Sequence, residues 1–205
     1  MLSLDAFTAL VAFAFVSSVT PGPNNLMLMS SGTNFGFRRT VPHLLGVSGG
    51  FVLMVVLVGA GAAWVFSAFP LAGIVLKTLS VAYLLYLAWR IATSAPPKDG
   101  KGGARPLTFL QAAAFQWVNP KAWTMALTAV TVHLPADQRW AGLVVIAVVF
   151  GAVNLPSVGL WTLMGVQLRK LLHRPRALRA FNITAAVLLV ASLWPVLDQN
   201  LSPTG

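Results

Sequence analysis

The chain has 205 residues, 57% of them hydrophobic and only 9% charged, with 14 Lys and Arg against four Asp, no Glu and a net charge of +10. A soluble domain carries roughly a quarter of its residues charged, so this composition, with a mean hydropathy of +0.79, excludes one and points to an integral membrane protein. The basic residues sit in short clusters between long apolar stretches, which excludes a nucleic-acid module, and zero cysteines remove disulfides, thiolate metal sites and cysteine nucleophiles.

Apolar segments at 4–30, 41–67, 70–92, 107–132, 141–166 and 180–197 each approach the length that crosses a bilayer, so six helical spans are expected. Turn signals separate them: Gly32 to Arg39, Pro70, the Pro-Pro-Lys-Asp-Gly run at 96–100, Pro135-Ala136-Asp137 and His173-Arg174-Pro175. In the first segment Ala12-Phe13-Ala14 resembles a signal-peptide cleavage site. No Lys or Arg precedes it, Asp5 does, and the apolar run continues, so it reads as a retained span.

Further along the same span comes Pro21-Gly22-Pro23, followed by Asn24 and Asn25. Each proline lacks an N–H and blocks the carbonyl four residues back, so the helix is expected to break. In hydrocarbon the freed carbonyls would cost several kcal/mol each unless they face protein or a wet cavity. Broken helices give a transporter N–H groups for a carboxylate and carbonyls for an ammonium. Packing alone is the competing explanation for such a kink.

Span two carries Gly46-Val47-Ser48-Gly49-Gly50, a small-residue patch that allows close helix approach and makes a homodimer an expectation. Its G-x-S-G string also raises an intramembrane serine protease. That chemistry needs a histidine base, whereas His43, His133 and His173 fall at span ends or in connections and read as interfacial. In span three, Lys77 lies about two turns from one end, where its stem can snorkel or line a site.

Span four repeats the first span's device with Asn119-Pro120-Lys121. Pro120 is expected close to 20 Å from the span's start at about 1.5 Å per residue, and a lysine at that depth usually faces the bundle interior. Lys121 is therefore the foremost candidate residue, with Trp117 and Trp123 on the same face. Span five places Asn154 beside Pro156, where a site or an interhelical hydrogen bond accounts equally for the amide. Span six echoes span three, LKTLSVAYLLYLAW against FNITAAVLLVASLW.

These echoes suggest two halves of three spans, 1–94 and 107–205, joined by a linker at 95–106, with chance similarity between apolar helices as the competing explanation. An odd number of spans per half makes the repeat inverted. Eleven of the 14 basic residues fall in the first, third and fifth connections, which places those in the cytoplasm and both termini outside.

The acids Asp5, Asp99, Asp137 and Asp198 all lie in flanks or connections, so no carboxylate stands at the membrane midplane as a proton relay or a partner for a dibasic substrate. A small neutral zwitterion is the expected cargo, its carboxylate on Lys121 or helix N-termini and its ammonium on backbone carbonyls and Asn24. No cofactor or metal is expected. The substrate path expected is Pro21, Gly22, Pro23, Asn24, Asn25, Asn119, Pro120, Lys121, Asn154 and Lys77.

Five motifs occur in order: TPGPNN at 20–25, GFRR at 36–39, PHLLGVSGGF at 42–51, LK-x5-YLLYLAWRIATS at 76–94 and FQWVNPKAW at 115–123. Together they resemble the LysE-type amino-acid exporters, nearest the homoserine/threonine and cysteine/O-acetylserine branches. The resemblance implies a bacterial inner-membrane exporter driven by the proton motive force, with the family's two proline motifs on 21–23 and 119–121. Many members have an acidic residue after Pro-Gly-Pro; here it is Asn24. The alternatives are a membrane scaffold or enzyme without transport, or an importer or channel for small zwitterions.

Overall fold

The computed structural model describes residues 3–62, 64, 68–94, 105–172 and 175–194. The expected turn at 96–100, Lys98, Asp99, Lys101, His173, Arg174 and the flank with Asp198 lie outside the described residues.

Every regular element among the described residues is helical. Helix α1 (Leu4–Val19) starts on a Ser3 cap that accepts from the Ala6 N–H at 3.2 Å, with Asp5 in its first turn. It gives way at Pro21-Gly22 to α2 (Pro23–Phe35), where Pro23 needs no N–H at the first helical position. Helix α3 (Phe37–Leu57) runs on into a π turn over Val58–Ala62. After α4 (Pro70–Ala92), α5 (Phe109–Phe115) begins with a capping box between Thr108 and Gln111 and tightens to a 3₁₀ turn over Gln116–Val118. Asn119 then caps α6 (Pro120–His133), and α7 (Arg139–Leu171) and α8 (Pro175–Ala191) complete the order.

Three helical stretches, Phe37–Ala62, Leu71–Ala92 and Arg139–Lys170, are long and apolar enough to cross a membrane. The pair α1 and α2 qualifies as a fourth, bent by 52° at its break. The expected loop at 32–39 is helical on both sides of one residue, Gly36, whose φ of 81° is open to glycine and strained for other residues. Pro156, a helix breaker by chemistry, stays inside the 33 residues of α7, on its exposed side.

The basic clusters meet at one end of the bundle. There Arg90 Nη2 donates to the Arg105 carbonyl at 3.2 Å, Asn182 of α8 donates to the Ser94 carbonyl at 2.8 Å, and the Arg169 guanidinium approaches Gly36. At the opposite end Arg139 donates from Nε and Nη2 to the Gly59 carbonyl, which the π turn leaves accessible, at 3.1 and 2.6 Å.

Two contacts set the packing. Helices α2 and α7 touch backbone to backbone, because a Cβ on Gly32 would collide with the Thr162 carbonyl and one on Gly165 with the Met29 carbonyl. Helix α3 meets α5 in the same way through Gly46 and Gly50, four residues apart. The small-residue patch that suggested a homodimer is thus used within the chain. Two apolar cores result, one around Leu28, Leu84, Phe115 and Leu189, the other around Phe51, Met54, Ile146 and Phe150. Leu71, Ile74, Val75 and Leu79 on α4 and Val187 and Leu188 on α8 remain exposed, an apolar exterior suited to lipid.

Candidate functional site

The break between α1 and α2 should orphan the last carbonyls of α1. Their partners account for each one. Val16 accepts from the Thr20 N–H at 3.1 Å and Ser17 from the Thr20 hydroxyl at 3.1 Å. The Ser18 and Thr20 carbonyls both accept from Asn25 Nδ2 at 2.8 Å, and Val19 accepts from the Trp161 indole of α7 at 3.1 Å. The Lys121 ammonium then reaches across from α6 to the Thr20 carbonyl at 2.7 Å, the Thr20 hydroxyl at 2.9 Å and the Pro21 carbonyl at 3.3 Å. Its stem crosses Gly22 so closely that a Cβ there would lie 2.6 Å from Lys121 Cδ.

The second break mirrors this on a smaller scale. Asn119 turns its side chain to accept from the Lys121 N–H at 3.2 Å, starting α6, and the Trp123 indole donates to the Trp117 carbonyl at 2.8 Å. Trp117 and Trp123 pack edge to face, centroids 5.8 Å apart. They serve the break itself.

Across the gap Asn24 and Gln116 form a reciprocal amide pair, Asn24 Nδ2 donating at 2.8 Å and Gln116 Nε2 returning at 3.3 Å. Gln116 is fully buried and also donates to the Ala112 carbonyl at 2.8 Å. On α7 Asn154 donates to the Ser18 hydroxyl at 3.2 Å, but its buried Oδ1 has no partner.

A small cavity lies where these groups meet, between the two apolar cores, lined among others by Gly22, Asn24, Asn25, Asn119, Lys121 and Asn154. Helices α2 and α6 both begin on it, so two positive dipole ends and the Lys121 side chain converge there. The volume, about 20 Å³, admits a water molecule and not an amino acid. The site is too narrow for a substrate in this structure.

Gly22, Asn24, Asn25, Asn119, Lys121 and Asn154 therefore line one cavity, Pro21, Pro23 and Pro120 adjoin them in the chain without lining it, and Lys77 is not among the lining residues. Two findings bear on the expectations. The Lys121 ammonium occupies the carbonyls expected for a substrate ammonium. His43, read as interfacial, is 2% exposed inside the bundle. Gln116 was missed, although a polar residue within the apolar FQWVNPKAW string was a visible signal. Ser18 and Trp161 reach the break only through the packing of α1 on α7.

Residues 15–192 match the LysE type translocator family. The chain is 35% identical over 185 residues to a cysteine/O-acetylserine efflux protein of Escherichia coli (strain K12), covering 89% of this chain and 93% of the relative. The protein of that name from Shigella sonnei (strain Ss046) is similar to the same extent, and that of Escherichia coli O6:K15:H31 (strain 536 / UPEC) is 34% identical over the same 185 residues. No solved structure matches.

Proposed function

The chain belongs to the LysE type translocator family, and on that premise we propose that it exports small neutral amino acids or their derivatives across the bacterial inner membrane, through the two proline breaks. It is a transporter rather than an enzyme. The observation that carries the reading is the pair of polar groups at the breaks: a half-buried lysine ammonium bound to backbone carbonyls and, lining the same cavity, a buried amide oxygen, Asn154 Oδ1, that has no partner.

The chemistry proposed is an exchange of ammonium groups. When the cavity opens, the substrate's carboxylate draws Lys121 off the Thr20 and Pro21 carbonyls and rests against the starts of α2 and α6. The substrate's own ammonium takes the vacated carbonyls and the free Asn154 oxygen. One cation replaces another on the same acceptors, so the break never holds bare carbonyls in a dry interior. Asn24 and Gln116 supply a neutral amide pair where a carboxylate would favour a second positive charge.

The wider architecture we propose is six spans in inverted halves, with α1–α2 and α5–α6 as the broken spans. The packing of α1 on α7 and of α5 on α3 supports this, since an inverted repeat exchanges those two pairs. One half rocking against the other then opens the cavity to each side alternately. The basic end of the bundle faces the cytoplasm and both termini lie outside.

Cells loaded with dipeptides and expressing the chain are expected to release cysteine or serine faster than cells without it. Lysine and arginine released from other dipeptides should leave at the background rate. Preferred export of a dibasic amino acid would contradict the neutral site.

A further inference from the structure

A second cavity, of about 50 Å³, lies at the basic end between α2, α3, α4 and the segment leading into α5, lined among others by Ser30, Ser31, His43, Arg90, Ser94 and Arg105. His43 is buried there and neither ring nitrogen has a hydrogen-bond partner, although buried polar groups almost always find one. Among the described residues no carbonyl or side chain pairs with this imidazole.

The groups around it have one chemical bias. From α2 come two hydroxyls, Ser30 receiving Asn34 Nδ2 at 3.3 Å and Ser31 sharing a 2.9 Å hydrogen bond with Thr40. From α4 comes the Arg90 guanidinium, held over the Tyr86 ring at 6.0 Å and, among the described residues, giving one hydrogen bond, to the Arg105 carbonyl. Arg105 adds a second positive charge, and Arg38 and Arg39 stand on the first turn of α3. Among the described residues no carboxylate lines this cavity. Spare donors, positive charge and a free imidazole fit an anion with planar acceptor oxygens.

We infer that this cavity is a loading site for the carboxylate of the outgoing amino acid, held by His43 and Arg90 before the substrate advances along α2 to the proline breaks. The inference rests on the exporter reading. Ser30 and Asn24 are six residues apart on α2, about 9 Å at 1.5 Å per residue, so the second site lies one short step from the first. At 50 Å³ the cavity admits a carboxylate's volume, with the remainder of the amino acid toward its open side.

The test is uptake of L-cysteine into inside-out membrane vesicles, where the basic end faces the medium. The chain has no cysteine, so the reductant that protects the substrate leaves the protein unchanged. His43→Leu and Arg90→Gln are each expected to raise the half-saturating concentration about tenfold, as loss of one charge-assisted hydrogen bond does, with the maximal rate within about twofold of the parent. His43→Gln, which keeps a donor, should fall between. Half-saturation measured from the opposite face in right-side-out vesicles should not move.

Unchanged half-saturation in both variants, with parent uptake intact, would overturn the loading site and leave the exporter reading standing. Absence of uptake by the parent, for cysteine and for O-acetylserine, would overturn the exporter reading and the loading site with it. Should the variants fail to fold, diethyl pyrocarbonate modification of His43 in the parent, scored by mass spectrometry against His133 in the same sample because the amine and thiol of cysteine also consume the reagent, decides: cysteine slows His43 more than His133 if the site exists, and equal slowing overturns it. Repeating the uptake in liposomes with and without phosphatidylglycerol separates a lipid headgroup from the substrate. An effect of His43→Leu confined to phosphatidylglycerol membranes would assign the cavity to lipid and overturn the proposal.

Discussion

Replacing Lys121 with alanine is expected to slow amino-acid efflux at least about 100-fold, equivalent to about 2.7 kcal/mol at the rate-limiting barrier. The side chain makes three hydrogen bonds to the break, and the substitution leaves the Pro21 carbonyl without its donor and the Thr20 carbonyl with Asn25 alone. Hydrogen bonds from a charged group contribute roughly 1.5–3 kcal/mol, so a fall in stability of about 2 kcal/mol should accompany the loss of transport. Lys121→Arg keeps the charge but brings a planar fork into a space closed by Gly22, so partial activity is expected. Efflux per unit of membrane-inserted protein, measured beside the melting temperature in detergent, separates the two effects. Efflux of Lys121→Ala within threefold of the parent would remove Lys121 from the transport step.

Gly165→Ala is expected to cost on the order of 3 kcal/mol of stability and to reduce the amount of protein in the membrane severalfold. The added methyl would meet the Met29 carbonyl and lie 3.0 Å from the Thr33 nitrogen, both backbone groups that cannot rotate away. Relieving the clash pushes α7 from α2 and stretches the 2.9 Å hydrogen bond from the Thr33 hydroxyl to the Gly165 carbonyl. The Trp161 and Asn154 contacts to α1 lie on the same helix and weaken with it. Gly73→Ala is the control. Nothing lies within 4 Å of its Cβ position, and in α4 it should stabilise by about 0.5–1 kcal/mol. Thermal unfolding of both variants, followed in one detergent, checks the contrast; equal melting temperatures would refute the backbone contact between α2 and α7.

Much of this site was legible in the sequence because proline chemistry is local. Pro21-Gly22-Pro23 and Asn119-Pro120-Lys121 interrupt their helices as expected, whereas the single Pro42 and Pro156 are carried inside α3 and α7. Lys121 stood out by depth alone. The direction of its ammonium depends on how α6 crosses α1, which no local rule contains. His43 was misplaced because counting put it at a span boundary, whereas α3 begins at Phe37, six residues earlier, and packs among α2 and α4. The loop expected at 32–39 shrank to Gly36 because the signals read there, Gly32 and the two arginines, serve packing and charge rather than a turn. Ser48, in the string that raised a protease, is buried in α3, and the glycines beside it, Gly46 and Gly50, are the seat of α5.

The transport we propose carries small neutral amino acids through a proline-broken bundle with a lysine at its break. Its most direct measurement is the release of radiolabelled L-cysteine from liposomes containing the purified chain, kept reduced, with an imposed proton gradient. Release faster than from protein-free liposomes, lost in Lys121→Ala and not competed by lysine, is the predicted result. Release no faster than from protein-free liposomes, for cysteine, serine and O-acetylserine alike, would contradict it.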